Sequence, residues 1–514
     1  MTNSKLLARL TLVYLLALSG LFLAASCYVH AVEHPVPTLP LQSLRELSEP
    51  TGVTHTPRIQ SWTLKQGSRV LFVENHSVPM VDLKISFAAG SYYDDKTPGL
   101  AAMTQALFSV DSALKQADEI AREFDRYGVK ITHGVNAEQS YFTLRSLSEQ
   151  AVFNPVMALF TETLTRPKFS QTNLSRIKRI LQTDLELEQI IPQMRALAHI
   201  RAHLYPGQPL SHSIYGTSDS LERIEAKHLR DFHRRAYTAG NLKMVIVGDL
   251  TPEQAQSLSQ TFADALPQGP ALPAPQMMVG AVNAGQALHL EDPSSQTLLM
   301  LAQNALPDQH PDAIAIRIAN VIFNHVLNGQ LREKHSVTYG VKSDIEPAQA
   351  AATWVIQLNT PPQYSQEAMR HIQTLFADFL KAGPTEEQLN TLKKYLRHAL
   401  PQLLATHKNQ LDELEVINRF DQTLDFSHKT DEIQKMTTAQ IKAAMNRHLA
   451  PSQWITLTLG PSVAQLPLPD IISGEDSSQP LCNSTNWTSS GPHSLLGQRA
   501  VLWQLKHFLT PVTD

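Results

Sequence analysis

Histidine residues at metal-binding spacing are the first side chains in this sequence that could do chemistry. His199 and His203 stand four positions apart in "AHIRAH", within a stretch whose pattern predicts a helix. Two imidazoles at that spacing share one helix face and can hold a metal ion together. No glutamate lies between them, so two partly exposed helix residues are the simpler interpretation. His133 and His335 are isolated in the sequence, and we expect them to be surface or packing residues.

The composition excludes several classes of protein. Only Cys27 and Cys482 are present, so the sequence encodes neither a disulfide scaffold nor a cysteine-rich zinc site. The net charge is −4 and no basic stripe occurs, so we expect no nucleic-acid partner. With 514 residues, of which 42% are hydrophobic and 18% charged, the chain is long enough for two or more globular domains.

The N-terminus has the layout of an export signal. Lys5 and Arg9 precede an uncharged apolar run, "LTLVYLLALSGLFLAAS". Three endings remain open: "LAASC" as a lipobox that lipidates Cys27, "VHA" before Val32 as a cleavage site, or residues 10–29 as an uncleaved membrane anchor. Each of these three endings would place the chain across a membrane. We therefore expect a periplasmic protein of a Gram-negative bacterium, membrane-attached if Cys27 is lipidated or the anchor is kept.

Turn residues and hydrophobic periodicity divide the chain into segments. We predict a signal segment over 1–31, an extended lead-in over 32–58, an N-terminal domain over 59–265, a proline-rich linker over 266–278, a C-terminal domain over 279–464 and a low-complexity tail over 465–514. Each domain combines a few strands with several long helices, which predicts the α+β class.

Local signals predict particular elements inside these domains. The β-rich runs after residue 60 flank a polar turn and indicate a hairpin, and "LKMVIVGDL" indicates a buried strand. "TPEQAQSLSQTFADAL" predicts a helix with Thr251 as its cap and Pro252 as its first residue. In the second domain, helical patterns run over about 310–330, 365–382 and 385–447.

The two domains look like repeats of each other. "YTAGNLKMVIVGDL" and "HLAPSQWITLTLGPS" place Gly248 and Gly460 at an offset of 212 residues. "VDLKISFAAG" and "TLLMLAQNAL" end at an offset of 216 residues. Because the two offsets nearly agree, the sequence predicts a duplicated unit.

Five stretches follow one another along the chain: "TLKQGSRVLFVENHSVPMVDLKISFAAGS", "PGLAAMTQALF", "YGVKITHGVNAEQSYFTLRSLSE", "RRAYTAGNLKMVIVGDL" and "LREKHSVTYGV". The series resembles the insulinase/pitrilysin family of metallopeptidases, the inverzincins, over about residues 60–462. That resemblance implies two tandem homologous α+β domains, each with a mostly antiparallel sheet packed against several helices.

The zinc site implied by the resemblance is degenerate in this sequence. The family's H-x-x-E-H helix carries two histidine ligands and a glutamate that polarises the attacking water. Here the pattern falls on "GLAAMTQA", so that Ala102 and Ala106 replace the histidines and Gln105 replaces the glutamate. A carboxamide cannot take a proton from zinc-bound water. We therefore expect this chain to have no metal ligands at this site and no intact catalytic residue.

The family's third zinc ligand is an acid farther along the chain. Its spacing places it near Thr183, and a shift of the alignment would bring Asp184, Glu186 or Glu188 to the position. One carboxylate without the two histidines would not bind zinc tightly.

A second set of family residues is retained. In the family, an arginine and a tyrosine seven positions apart reach from the second domain toward the site of the first, and "LREKHSVTYG" supplies Arg332 and Tyr339. A guanidinium offers several fixed donors to substrate carbonyls, and a phenol can donate to the oxyanion of a tetrahedral intermediate. Without the resemblance, Arg332 is simply a surface cation at a helix end and Tyr339 the first core residue of a strand.

The resemblance implies a divided active site. In two-chain family members one chain carries zinc, and the other contributes the Arg/Tyr pair to a clamshell heterodimer that encloses an extended peptide. We expect this chain to be the second type, with zinc on an H-x-x-E-H partner and no cofactor of its own. Two alternatives remain open: a structural pseudoenzyme or binding module, and an autonomous zinc endopeptidase with unusual ligands.

Overall fold

The computed structural model describes residues 56–276 and 285–470, apart from Ser109, Asp111 and Ala351. The predicted export signal, most of the lead-in, both cysteines and most of the predicted tail lie outside these residues. In the described ranges no helix has the length and apolar character needed to span a bilayer.

The N-terminal half forms one sheet with helices packed on it. Its strands are β1 (Gln60–Thr63), β2 (Arg69–Glu74), β3 (Met80–Phe87), β4 (Lys130–Val135), β5 (Ser140–Leu147) and β6 (Leu242–Gly248). Its helices are α1 (Leu100–Ala106), α2 (Ala117–Arg126), α3 (Gln150–Thr165), α4 (Gln171–Ile190), α5 (Pro192–Leu204), α6 (Ser218–Arg223), α7 (Ala226–Ala236) and α8 (Pro252–Ala265). The strand order is β1-β2-β6-β3-β5-β4, and only β2 and β6 pair in parallel within this described sheet.

The C-terminal half repeats this arrangement. Its strands are β7 (Ala287–Glu291), β8 (Thr297–Ala305), β9 (Lys342–Ile345), β10 (Ala352–Thr360) and β11 (Ile455–Gly460). Its helices are α9 (Ala313–Leu327), followed by a π-helical turn (Asn328–Lys334), then α10 (Ser365–Ala382), α11 (Glu386–Leu403), α12 (His407–Arg419), α13 (His428–Lys435) and α14 (Thr438–His448). The order is β7-β11-β8-β10-β9, with β7 and β11 parallel and the other neighbours antiparallel.

The duplication predicted from the glycine offsets is visible in the sheets. β6 and β11 each lie between a parallel and an antiparallel neighbour, and each ends in one of the two glycines. A Cβ on Gly248 would lie 2.2 Å from the carbonyl oxygen of Met80, and a Cβ on Gly460 would lie 2.3 Å from Thr297 Oγ1. Because the antiparallel neighbour begins so close by, both positions exclude a side chain. The prediction of two tandem, mostly antiparallel α+β units is confirmed.

Several local predictions can be compared with the structure. The polar turn after residue 64 joins β1 and β2 as an antiparallel hairpin, whereas β6 separates β2 from β3. The predicted cap of α8 is confirmed, since Thr251 Oγ1 accepts a hydrogen bond from the Gln254 amide and Pro252 begins the helix. The helical pattern over 385–447 is divided into α11 to α14, because Thr406 and Thr437 cap new helices within it.

The segments predicted as linker and tail are pinned where the structure describes them. The amides of Ala239 and Gly240 donate to the carbonyl oxygens of Pro267 and Gly269 at 2.9 and 3.1 Å. Residues 266–276 therefore follow the surface of the N-terminal half. The tail begins in the same way, because the Leu466 amide donates to the carbonyl oxygen of Gln363 at 2.8 Å.

The two halves exchange helices. α5, from the N-terminal half, packs on β8 and β11 of the second sheet, and α12, from the C-terminal half, packs on β2, β3 and β6 of the first. The contact on the first sheet joins the α12 residues Leu411, Leu414 and Ile417 to buried side chains of β2 and β6. Burying side chains of this size stabilises by roughly 1.5–3 kcal/mol each. Each half therefore supplies the helix that covers the outer sheet face of the other.

Charged side chains are buried in the same interface. Lys84 on β3 lies 3.6 Å from Glu415 on α12, and their side chains are only 2% and 5% exposed. The side-chain Nε2 of Gln139 also donates to Glu415 at 3.0 Å. Burial alone would raise the pKa of Glu415, but the neighbouring Lys84 and Arg419 cations outweigh it and lower the pKa below its usual range. Glu415 is therefore ionised and paired inside the protein.

We predict that Glu415→Ala destabilises the fold by about 3–5 kcal/mol, because Lys84 is left buried without its counter-charge. The double variant Lys84→Met with Glu415→Leu should recover most of this loss, since an apolar pair needs no charge partner. Urea unfolding followed by circular dichroism measures both. Glu432→Ala breaks an exposed pair with Lys435 and should cost less than about 1 kcal/mol. Equal losses in Glu415→Ala and Glu432→Ala would contradict the buried pairing.

Candidate functional site

Helix α1, which resembles a zinc-binding helix, begins at a turn built by Asp94 and Gly99. Gly99 has φ 89°, and a Cβ there would lie 2.5 Å from the carbonyl oxygen of Tyr215, so glycine is required. The two carboxylate oxygens of Asp94 accept hydrogen bonds from the amides of Gly99 and Ala101, each at 2.7 Å. Burial raises the pKa of Asp94 to about 7, although the two amide bonds oppose that rise. One acidic side chain thus fixes the start of the helix.

The three degenerate positions lie on this helix without any metal-binding group. Ala102 is 1% exposed, Ala106 is half-buried, and Gln105 is 5% exposed. A methyl group has no lone pair to give a metal, and a neutral carboxamide is no base for water. The residues present therefore do not fit a catalytic zinc ion, and no hydrolytic step can be assigned to this helix.

Gln105 has acquired a different partner. Its Nε2 donates to Nδ1 of His133 on β4, and the His133 ring meets Phe108 edge-on at 5.3 Å between centroids. Partial burial lowers the pKa of His133, which favours the neutral imidazole that this hydrogen bond needs as acceptor. Sequence reasoning left His133 as an isolated residue. Its position across from α1 depends on the pairing of β4 with β5, which no local pattern shows.

The acids expected near the third ligand position lie on α4, which packs against α1. Asp184 and Glu188 are half-buried, whereas Glu186 and Thr183 are exposed. Burial raises the pKa of Tyr215, and the nearby charges of Asp184 and Glu188 raise it further. The helix that carries these acids therefore packs beside α1.

The other histidines singled out in the sequence have structural partners. On α5, His203 Nδ1 donates to the backbone oxygen of His199 at 2.7 Å. No third His, Cys, Asp or Glu donor lies within metal-binding reach of that pair among the residues described. His335 donates from Nδ1 to the carbonyl oxygen of Pro469 at 2.8 Å and meets the His371 ring edge-on.

Arg332 and Tyr339 lie between α9 and β9, one in the π-helical turn and one on the loop that follows it. Arg332 lies within the turn and is half-buried, while Tyr339 lies beyond it and is 92% exposed. Neither side chain has a hydrogen-bond or ion-pair partner in the described part of the chain. The interpretation of Tyr339 as the first core residue of a strand is wrong, because the strand begins only at Lys342.

The loop itself is held at both ends. The Asn328 side chain donates to the carbonyl oxygen of Val341 at 3.0 Å and accepts from its amide at 2.9 Å. The Val337 amide donates to the carbonyl oxygen of Leu331 at 3.0 Å, and both of these side chains are buried. Tyr339 therefore projects from a fixed base. Asn328, which the sequence did not single out, is the residue that sets this geometry.

The family comparison agrees with this arrangement of an intact frame and missing ligands. Residues 69–218 match the model for insulinase, peptidase family M16, and residues 223–396 match the model for the peptidase M16 inactive domain. Together the two matches cover more than half of the chain. The chain belongs to the insulinase family.

Relatives within the insulinase family include proteins described as inactive. A peptidase M16 inactive domain from Pseudomonas fluorescens, known from a crystal structure, shares 34% sequence identity and superposes with a TM-score of 0.76. The match covers 80% of this chain and 99% of that chain. A "Non-peptidase homolog YmxG" from Helicobacter pylori is 22% identical over 74% of this chain and 88% of its own length. An "Uncharacterized zinc protease YmxG" from Bacillus subtilis is 21% identical over 73% of this chain and 91% of its own length. Together with the lack of a metal ligand or base at Ala102, Gln105 and Ala106, these similarities identify a catalytically inactive insulinase-like protein.

We predict that Gln105→Glu raises the pKa of His133 by about one pH unit or more, because a carboxylate in contact with an imidazole favours its protonated form. In the wild-type chain the His133 pKa should lie below its usual value, since burial disfavours the charge. A pH titration of the histidine ring signals by NMR measures both. Gln171→Glu adds the same charge at the start of α4 and should leave His133 unchanged. No change in Gln105→Glu would contradict the contact.

Proposed function

We propose that this chain is a zinc-less insulinase-family subunit that binds extended peptide and completes, with Arg332 and Tyr339, the active site of a zinc-bearing partner peptidase. The observation that carries the proposal is the presentation of Tyr339, which is 92% exposed on a loop fixed by Asn328 and by the backbone of Leu331. A large side chain on a rigid base, with no partner among the residues that the structure describes, is suited to contact a molecule that arrives from outside.

The two side chains would supply substrate binding and oxyanion stabilisation, which differ from the zinc ligands and base that α1 lacks. The guanidinium of Arg332 can donate to substrate carbonyl groups, and the phenol of Tyr339 can donate to an oxyanion as it forms. Donors of this kind lower a barrier only when they are positioned before the reaction, because reorganising them costs free energy. The Asn328 clamp fixes the backbone of the loop, and contacts with the partner or the peptide would then hold the phenol of Tyr339. The zinc ion and the general base would then come from the partner.

The edges of the two sheets support the peptide-binding part of the proposal. β4 lies at one edge of the first sheet, and β9 lies at one edge of the second. An edge strand leaves backbone donors and acceptors that an extended peptide can pair with. His133 lies on β4, and Gln105 of α1 donates a hydrogen bond to it. A peptide added here would therefore pass beside the helix that has lost its metal ligands.

We further propose that the partner is an H-x-x-E-H homologue and that the two chains form a clamshell heterodimer. The support is the division of chemical groups, since this chain keeps the Arg/Tyr pair and lacks the zinc donors. Export to the periplasm, with attachment through lipidated Cys27 or an N-terminal anchor, remains the prediction of the N-terminal sequence. An autonomous zinc endopeptidase is disfavoured because Ala102, Gln105 and Ala106 offer no ligand or base.

A purely structural or binding role is the second candidate, and one surface favours it. Large apolar side chains are exposed on α4 and at its junction with α5: Ile180, Leu187, Ile190, Ile191 and Met194. An exposed apolar group of this kind indicates association with another protein. Association alone would need neither Arg332 nor Tyr339, so substitution of these two residues separates the candidates.

We predict that Arg332→Ala with Tyr339→Phe lowers kcat of the reconstituted pair by about 100-fold or more, which is the usual loss when a transition-state donor is removed. The chain is co-expressed with an H-x-x-E-H homologue from the same genome, and cleavage of a quenched fluorescent peptide library is measured. Arg370→Ala with Tyr364→Phe is the matched control and should leave kcat unchanged.

Unchanged kcat in the first variant would contradict the shared site and support the structural role. Zinc-dependent cleavage by the purified chain alone would contradict both. Gel filtration of each variant with its partner shows whether the heterodimer still forms, so a loss of assembly is distinguished from a loss of chemistry.

A further inference from the structure

In the C-terminal half, α9 begins and α14 ends at a cluster of histidine and aspartate side chains. His310 lies just before α9, Asp312 is the residue that precedes its first turn, and His448 is the last residue of α14. The two helices pack along each other through core residues such as Ile316 and Met445. The backbone that carries the cluster is therefore fixed by the hydrophobic core and not by the cluster itself.

The potential ligand atoms of these residues are already close together. One nitrogen of each histidine and one oxygen of Asp312 all lie within 4.8 Å of one another. His448 Nε2 is 2.8 Å from Asp312 Oδ2, and the two imidazole rings meet edge-on at 4.9 Å. Ligands of one transition-metal ion lie about 3–3.5 Å apart, given bonds of about 2.1 Å. Side-chain rotations alone can bring the three atoms to that spacing.

We propose that His310, Asp312 and His448 bind a divalent transition-metal ion, with zinc as the representative. Two imidazoles and one carboxylate match the preference of zinc, cobalt and nickel for mixed nitrogen and oxygen ligands. All three side chains are half-buried, so an ion can enter from solvent and keep water on its remaining positions. This site is separate from α1, which belongs to the other half of the chain.

Three contacts of the cluster have to change when an ion binds. His448 Nε2 donates to Asp312 Oδ2 and must give up that proton to become a ligand. The guanidinium of Arg447 pairs with Asp312 Oδ2 and supplies the positive charge that a metal would replace. Arg447 is 61% exposed, so it can move into water without leaving a cavity. His310 Nδ1 accepts from the Asp312 amide at 3.0 Å, and rotation of the ring would release that nitrogen toward the ion. Arg447 is thus a competitor of the metal.

The bound ion would connect the start of α9 to the end of α14. A ligand that binds the folded chain and not the unfolded chain raises its stability. Zinc should therefore increase the melting temperature of the protein as well as bind with a defined stoichiometry. The effect needs no peptidase activity and no partner chain, so it is independent of the proposed function.

The test is isothermal titration calorimetry of zinc into the purified, tag-free chain, with cobalt absorption spectra as a second readout. We expect one saturable site that His448→Ala weakens by at least about tenfold, since loss of a direct ligand costs more than loss of an outer hydrogen-bond partner. His310→Gln, which keeps a polar side chain, should weaken it similarly and serves if His448→Ala does not fold. Arg447→Ala should tighten binding and enlarge the zinc-induced rise in melting temperature.

The matched control is the double variant His199→Ala with His203→Ala, which removes the i, i+4 histidine pair of α5 and should leave the titration unchanged. Zinc binding of unchanged affinity and stoichiometry in His310→Gln and His448→Ala would overturn the proposal, as would the absence of saturable binding at millimolar zinc. Loss of the site in the control variant would also overturn it and assign the ion to α5.

Discussion

The buried charges between the two halves are the constraint on which the rest of the structure depends. Lys84 meets Glu415 inside the helix exchange, and Glu138 meets Arg419 at its end. Because an unpaired buried charge costs several kcal/mol, α12 can sit on the first sheet in only one register. Glu138 also accepts hydrogen bonds from the amide of Gln349, between β9 and β10. The same contacts therefore fix the edge of the second sheet, and with it the loop that carries Tyr339, relative to β4.

The N-terminal site shows how a metal-site helix can persist without its metal. In a zinc enzyme the ion itself joins the helix to its surroundings. Here the start of α1 is held by the Asp94 carboxylate, and its other end is joined to β4 by the hydrogen bond between Gln105 and His133. Each contact satisfies a buried polar group that would otherwise destabilise the helix. The frame is thus retained through packing and hydrogen bonds.

Local sequence determined a large part of the fold and of the candidate site, and long-range pairing determined the remaining contacts. The cap at Thr251 and the glycines at 248 and 460 follow from residue type and spacing. The missing ligands at Ala102 and Ala106 follow only from the resemblance to the insulinase family. The contact of Gln105 with His133 could not be predicted, because it requires β4 to lie across from α1. The apolar faces of α5 and α12 predict burial, but the pattern cannot say which sheet they cover. Tyr339 in a β-like stretch suggested a core residue, but the strand begins only at Lys342 and Tyr339 lies exposed on the loop before it.

The exchange of helices has a consequence for the integrity of the molecule. Since each half covers the sheet of the other, the covalent connection between them is not what holds them together. A protease that cuts the chain between residues 276 and 285 would leave one particle of unchanged hydrodynamic size, with two fragments seen only after denaturation. A gene divided at that point would encode two products, neither of which could finish its own hydrophobic core before meeting the other.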